Sequence, residues 1–203
     1  DEKRLLIALH TKQKDSIDQE KSSQVKLVGK VKAKERKYIA QIKRKQSEER
    51  KIDRQIDKLI AAAIAKSKKG TNKKGSSGFH LTPESKKLAS NFVANKGKLP
   101  WPVKKGLVTR RFGTQKHPTL AGITVQSSGI HIATEKGTKA RAIFKGKVLS
   151  ILLQAGRKKL VLVQHGNYIT AYKNLDNVLV KKDATVNTGD EIGVIHTDAI
   201  NGK

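Results

Sequence analysis

Residues 1–66 contain no proline and a single glycine, Gly29. Those two residue types most often interrupt or end a helix. The stretch therefore predicts one long helix, and a chain that begins this way cannot bury all of itself in one globule. A three-four spacing from Ile7 to Ala63 gives 17 seam positions, of which ten are apolar: Ile7, Ile17, Val28, Val31, Tyr38, Ile42, Ile52, Ile56, Leu59 and Ala63. That pattern fits a coiled coil with weak patches, strongest from Ile52 to Ala63. At about 1.5 Å per residue the seam is roughly 85 Å long. A lone helix this polar has little to bury, so a partner helix is expected. A solvated single helix is the competing reading.

Composition agrees with a partly non-globular chain. Apolar residues make up 36% of the 203 and aromatics 4%, against about 45–50% apolar in ordinary globular proteins. The formal net charge is +27. It is spread along the chain: 21 Lys/Arg against 10 Asp/Glu in residues 1–70, 6 against 1 in 71–98, and 17 against 6 in 99–203. Such a field attracts nucleic acid, anionic lipid, wall polymers or an acidic protein face without choosing among them. The absence of cysteine excludes disulfides and thiolate zinc sites. No run of about 18 apolar residues is present. The chain opens without Met, already helical in pattern, and is expected to be a fragment with any targeting segment upstream.

"SKKGTNKKGSSG" (Ser67–Gly78) reads as a flexible basic linker. In "LTPESKKLASNFVANKGK", Thr82 can cap a helix with Pro83 at its first position, and Gly97 ends it. Leu88, Phe92 and Val93 share one face. This helix is expected either to pack on the next domain or to plug a groove, so residues 67–98 form a linker plus a regulatory candidate. From Leu99 the character changes. "LPWPVKKGLVTRRFG" opens a β-prone region, and strands are expected at Gly129–Ala133, Lys139–Gln154, Lys159–Gln164, Tyr168–Asn174 and Glu191–His196, punctuated by glycine turns. The expected fold class is α + β: a long coiled-coil helix followed by a mainly antiparallel β domain over residues 99–203.

Four segments, "LPWPVKKGLVTRRFG", "GIHIATEKGTKARAIFKGKV", "LVQHGNYITAYKNL" and "VNTGDEIGVI", stand in the order and spacing of the LytM/lysostaphin-type zinc endopeptidase domain. The chain resembles that family over about residues 99–203. With the long helix in front, it is most similar to the EnvC-type murein hydrolase activators. Active members of the family hold zinc through a His and an Asp in H-x-x-x-D and the second His of a later H-x-H. A His in Y-x-H-L and the first His of H-x-H assist. Three protein ligands leave a fourth metal position for an activated water.

Carried onto this chain, the pattern is broken. Ser127 stands where the first His is expected, His131 where the Asp is expected, and Asn174, after Tyr172, where the catalytic His belongs. The H-x-H would fall beyond Lys203, so the domain is expected to be C-terminally truncated. A serine hydroxyl is a poor zinc ligand and an amide is no general base near neutral pH. The resemblance therefore implies a non-enzyme without cofactor. Its groove would engage a peptidoglycan amidase and draw an inhibitory segment off that enzyme's own site. The residues expected to bind the partner are Arg110, Arg111, Ser127, His131, Tyr172 and Asn174. The coiled coil would meet a division-site membrane complex of the FtsEX type, in the periplasm at the cell envelope, with peptidoglycan as a further contact.

Two other readings stay open. An active zinc endopeptidase cutting peptidoglycan cross-bridges would need a cryptic site, for example from His117 and His131. A polyanion binder fits the charge, but Trp101, three Tyr and four Phe offer few stacking platforms and no nucleic-acid motif is present, so no specific nucleic acid is expected. His165, in "QHGN", reads as a structural turn residue, and His10, His80 and His196 lie outside any motif. No phosphate loop and no nucleophile elbow occur; Gly70 and Gly75 belong to the linker.

Overall fold

The computed structural model describes residues 1–68 and 78–197. The linker expected over Ser67–Gly78 lies almost wholly outside the described residues, as do residues 198–203. Helix α1 runs from Glu2 to Lys68, two residues past the sequence limit, and Gly29 does not interrupt it. One glycine costs only about 1 kcal/mol in a helix interior, which the surrounding Lys-, Gln- and Ala-rich turns absorb. Helix α2 spans Pro83–Ala94. The Thr82 hydroxyl accepts the Ser85 N–H at 3.3 Å, and Asn95 follows as the C-cap before Gly97 turns the chain with φ 79°.

Ten strands follow: β1 (Leu107–Arg110), β2 (Gly113–Lys116), β3 (Thr124–Ser127), β4 (His131–Ala133), β5 (Lys139–Arg141), β6 (Gly146–Leu153), β7 (Lys159–His165), β8 (Tyr168–Val178), β9 (Thr185–Val186) and β10 (Glu191–Ile195). Strands β5-β10-β8-β7-β6-β9 form a six-stranded sheet, while β1 with β4 and β2 with β3 form two-stranded ribbons. The paired strands with a recorded register are antiparallel. The α + β class read from the sequence is thus the class of the structure. One expected strand, Lys139–Gln154, is two strands. The chain leaves β5 after Arg141, and β6 starts at Gly146, where a Cβ would meet the Gln164 carbonyl oxygen at 2.5 Å. Only glycine lets the β6 backbone come that close to β7.

Contacts divide the chain into two compact units, residues 1–51 with 116–125 and residues 52–115 with 126–203. In the second unit the core is Ala140, Ala142, Val148, Val161, Val163, Tyr172, Leu175, Val186 and Ile192. Val161 and Val163 alternate along β7 with Leu160 and Leu162, which must face the other side of the sheet. All four are 0% exposed, so β7 is covered on both faces. Part of the second cover is α2. Its Ala89 lies against Gly166, where an added Cβ would sit 2.6 Å from the Ala89 Cβ. Its Phe92 stacks on His165 at 4.9 Å and on Tyr168 at 5.4 Å between ring centroids, and meets Phe144 edge-on at 5.4 Å.

His165 is the polar centre of this junction and is fully buried. Its Nδ1–H donates to the Lys145 carbonyl at 2.6 Å and its Nε2 accepts the Thr170 hydroxyl at 3.0 Å, which fixes the neutral tautomer. Burial lowers its pKa below the ordinary value of 6.5, against a smaller opposing effect of the Lys145 carbonyl. The unfolded chain therefore takes up a proton before the folded one as pH falls. Stability is complete above about 6.5 and declines below it, by at most about 1.4 kcal/mol per pH unit, until His165 itself protonates. The carboxylates Asp183 and Glu191 are held low by Lys147 and Lys139; their contributions disappear only in a more acid window. Urea unfolding between pH 7.5 and 5.5 should show a falling midpoint that is flat in His165→Gln. An unchanged wild-type midpoint would refute the burial account.

Candidate functional site

The six residues expected to bind a partner all fall in the second unit, but they do not share one role. Ser127 ends β3, is 3% exposed, and donates its hydroxyl hydrogen to the Gly129 carbonyl at 2.8 Å. Its side chain closes the β3–β4 turn and presents almost no surface. His131 opens β4, half-buried, opposite Arg110 on β1 across an irregular step between Val108 and Arg110. The Thr109 hydroxyl donates to the His131 carbonyl at 3.3 Å. Arg110 is half-buried and Arg111 exposed; the Arg111 N–H donates to the Gln115 side-chain oxygen at 3.3 Å, and the Gln115 amide returns a bond to the Arg111 carbonyl. That reciprocal pair fixes the turn from β1 into β2.

Tyr172 departs from the expectation. It is 7% exposed, sits in the core, and its hydroxyl oxygen accepts the Ile143 N–H at 2.9 Å. Burial raises its pKa, opposed by the bonds to Thr170 and Ile143. The phenol braces β8 against the segment between β5 and β6 and does not face a partner. Period-two alternation explains the difference: Tyr172 points in and its neighbour Lys173 points out. Asn174 is exposed and takes φ 60°, the left-handed region that Asn tolerates better than most residues. Its N–H donates to the Gln154 side-chain oxygen at 3.4 Å and its carbonyl accepts the His196 N–H at 2.8 Å. Beside it, His196 Nδ1 lies 2.5 Å from Asp176 Oδ1.

What joins β3 to β8 is a triad the sequence reading missed. Lys173 Nζ donates to Asp53 Oδ1 at 2.7 Å and to the Ser128 hydroxyl oxygen at 3.2 Å, and the Ser128 hydroxyl donates to Asp53 Oδ1 at 3.2 Å. Ser128 follows Ser127, and Lys173 precedes Asn174. The triad therefore sets the neighbours of Ser127 and Asn174 side by side and ties the C-terminal part of α1 to them. No local signal marks it: Asp53 lies off the seam, among the charged neighbours Arg54, Asp57 and Lys58. Helix α2 docks elsewhere, at the β7–β8 turn around Gly166. Six residues separate Tyr168 from Asn174 along β8, roughly 20 Å of extended chain.

The donor set does not suit a catalytic zinc. The Ser127 hydroxyl is neutral and committed to Gly129, Asn174 carries an amide, and His131 is one imidazole. Among the described residues, no group of three or more His, Asp or Glu side chains is placed to hold a metal ion. His117 uses Nδ1 to accept the N–H groups of Thr119 and Leu120 at 3.3 and 3.2 Å, an assignment to loop structure.

Residues 125–202 match Peptidase family M23, so the β region carries an M23-type domain. Among solved structures, the chain is similar to a zinc-containing peptidase from Vibrio cholerae, with 30% identity over 47% of this chain and 31% of that one, TM-score 0.42. It is also similar to a protein of Pseudomonas aeruginosa assigned to peptidase M23, with 24% identity over 61% of this chain and 59% of that one, TM-score 0.39. The chain thus spans about a third of the length of the first and under two thirds of the second. No curated protein matches the chain.

The Asp53–Lys173 pair is about one-third exposed on both sides, at 33% and 30%. Partial exposure limits its coupling to about 0.5–1 kcal/mol. A double-mutant cycle of Asp53→Ala and Lys173→Ala, read by denaturant midpoint, should return that coupling. Strictly additive single effects would show that the contact ties nothing together.

Proposed function

We propose that this chain is a non-catalytic activator of the EnvC type, which uses its altered M23 surface to bind a peptidoglycan amidase in cell-wall remodelling and daughter-cell separation. The observation that carries the reading is the fate of the motif positions. Ser127 is committed to a turn, Asn174 replaces a proton carrier, and the neighbouring Ser128 and Lys173 are joined to a helix rather than left for substrate. The surface offered to the amidase is built from His131, Arg110, Arg111 and Asn174. Arginine is a frequent binding anchor. Activation is a population shift: the activator binds the open amidase better than the closed one, by about 1.4 kcal/mol for each tenfold change.

The Asp53 triad supplies a restraint on this surface. In the proposed cycle a membrane complex of the FtsEX type acts on α1 in the periplasm, the triad opens, and the amidase gains the face beside Ser128 and Lys173. In this cycle the C-terminal part of α1 is the regulatory segment, through its bond to the site, beside the regulatory candidate α2.

A second reading, a polyanion binder, draws on the +27 charge. Binding governed by phosphate contacts weakens steeply with salt, so a salt series separates the two. Release of dye-labelled peptidoglycan fragments tests the main reading. The amidase with this chain should release label several-fold faster than the amidase alone, Arg111→Ala should reduce the enhancement, and Asp53→Ala should increase it. Zinc-dependent release by this chain alone would establish an endopeptidase instead.

A further inference from the structure

The six-stranded sheet ends at β5. Ala140 in the middle of β5 turns into the core at 6% exposure, so Lys139 and Arg141 on either side of it point together to the opposite face. Across the β5–β10 pairing Arg141 stands opposite Glu191. The Glu191 carboxylate accepts Lys139 Nζ at 2.7 Å and lies 3.9 Å from the Arg141 guanidinium. The Arg141 N–H donates to the Pro102 carbonyl at 2.8 Å. That bond, with Val103 buried beside it, brings Lys104 and Lys105 to the same edge. The turn from Glu135 to Thr138 closes a third side. The Thr138 N–H and hydroxyl both donate to the Glu135 carbonyl, at 3.2 and 2.7 Å, and the Thr138 carbonyl accepts the Ile195 N–H at 2.9 Å. These segments wall an open cleft of about 350 Å³.

Four cations from separate segments gather in this cleft against their mutual repulsion. Lys104, Lys105, Lys139 and Arg141 are met there by Glu135 and Glu191, four charges against two, which leaves an excess of +2. The sequence neighbours Lys136 and Asp190 do not line the cleft and cancel in charge. Glu191 is committed to Lys139 and Arg141. Lys104 and Lys105 are exposed and have no ion-pair partner among the described residues. The Glu191 carboxyl is held below its ordinary value by the hydrogen bond from Lys139 and by the charges of Lys139, Arg141 and Lys104, against the opposing effect of burial. Lys104 therefore acts on the same point as the other two. Lysines that serve solubility alone stand apart on convex surface, whereas a concave wall concentrates their field.

Size and charge select the ligand. The volume is at the lower end of the roughly 300–1,000 Å³ of small-molecule sites, room for one compact group. A carboxylate carries one negative charge, but a phosphate monoester carries about 1.5–2 near neutral pH, which matches the excess. The guanidinium fork suits its oxygens. We infer that the cleft between β5, residues 102–105 and the turn at Gly137 binds a phosphate monoester, on a soluble metabolite or on a lipid headgroup. It contains none of the residues offered to the amidase, so the two readings succeed or fail separately.

The probes are glycerol 3-phosphate, dimethyl phosphate and acetate, titrated calorimetrically into the full chain at one ionic strength. Glycerol 3-phosphate should bind one per chain, at least about tenfold tighter than either monoanion, since the second charge acts at close range. The double variant Lys104→Gln, Lys105→Gln should lose about tenfold of that affinity, while Lys181→Gln, Lys182→Gln, which removes the same charge elsewhere, should bind within about twofold of wild type. Matching urea midpoints would separate lost binding from lost fold. Vesicles of phosphatidylcholine with phosphatidic acid, beside vesicles with phosphatidylglycerol, distinguish the sources. A preference for phosphatidic acid that disappears in the Lys104, Lys105 variant supports a headgroup; binding of glycerol 3-phosphate without it supports a soluble ligand. Equal affinity for the monoanions, equal loss in both double variants, or no binding of either phosphate monoester would each overturn the inference.

Discussion

Strand β7 is buried on both faces, and the remainder of the β domain follows from that. Four consecutive side chains, Leu160 to Val163, have no exposure. An antiparallel sheet can leave one face to water, but this one cannot. The Val161 and Val163 face is closed by the core around Leu175, Val186 and Ile192. The Leu160 and Leu162 face needs a second layer, to which α2 contributes through Ala89 and Phe92. A helix in front of the domain is therefore part of its stability. At the same junction the only economical way to bury His165 is as a neutral ring with both nitrogens satisfied, as observed.

The same requirement shapes the site. What covers the turn after β3 and the outer face of β8 controls access to them. Here the cover includes a charged contact. Asp53 holds Lys173 and Ser128, next to Asn174 and Ser127. Ion pairs of this exposure add little to stability. Their value lies in being specific and reversible: a modest pull on α1 costs little to open them. In the proposed cycle that reversibility lets the face beside Ser128 and Lys173 be uncovered.

Much of this was legible in the sequence, for identifiable reasons. Helix α1 was read from missing proline and a single glycine, and α2 from Thr82 and Pro83, because helix signals are local. Strands β7, β8 and β10 were found within a few residues, since apolar runs between glycine turns leave few alternatives. Four short strands were not resolved individually. β1 lay inside a region read only as β-prone, β2 and β3 carry Gly, Thr, Gln and Lys with little apolar alternation, and β9 has two residues. Each exists through its pairing partner rather than its own propensity. Tyr172 was placed on the surface because its motif points to function, whereas its alternation with Lys173 decides its face. The Asp53 triad joins residues up to 120 positions apart in the chain, and no local pattern carries such a link.

The central claim is that this M23-type domain has exchanged metal chemistry for partner binding. Calorimetric titration of zinc into the full chain, beside His131→Ala, tests it most directly. The account predicts no stoichiometric site in the micromolar range and no difference between the two proteins. One zinc bound per chain at that affinity, and lost in His131→Ala, would contradict it and return the altered motif to the metallopeptidases.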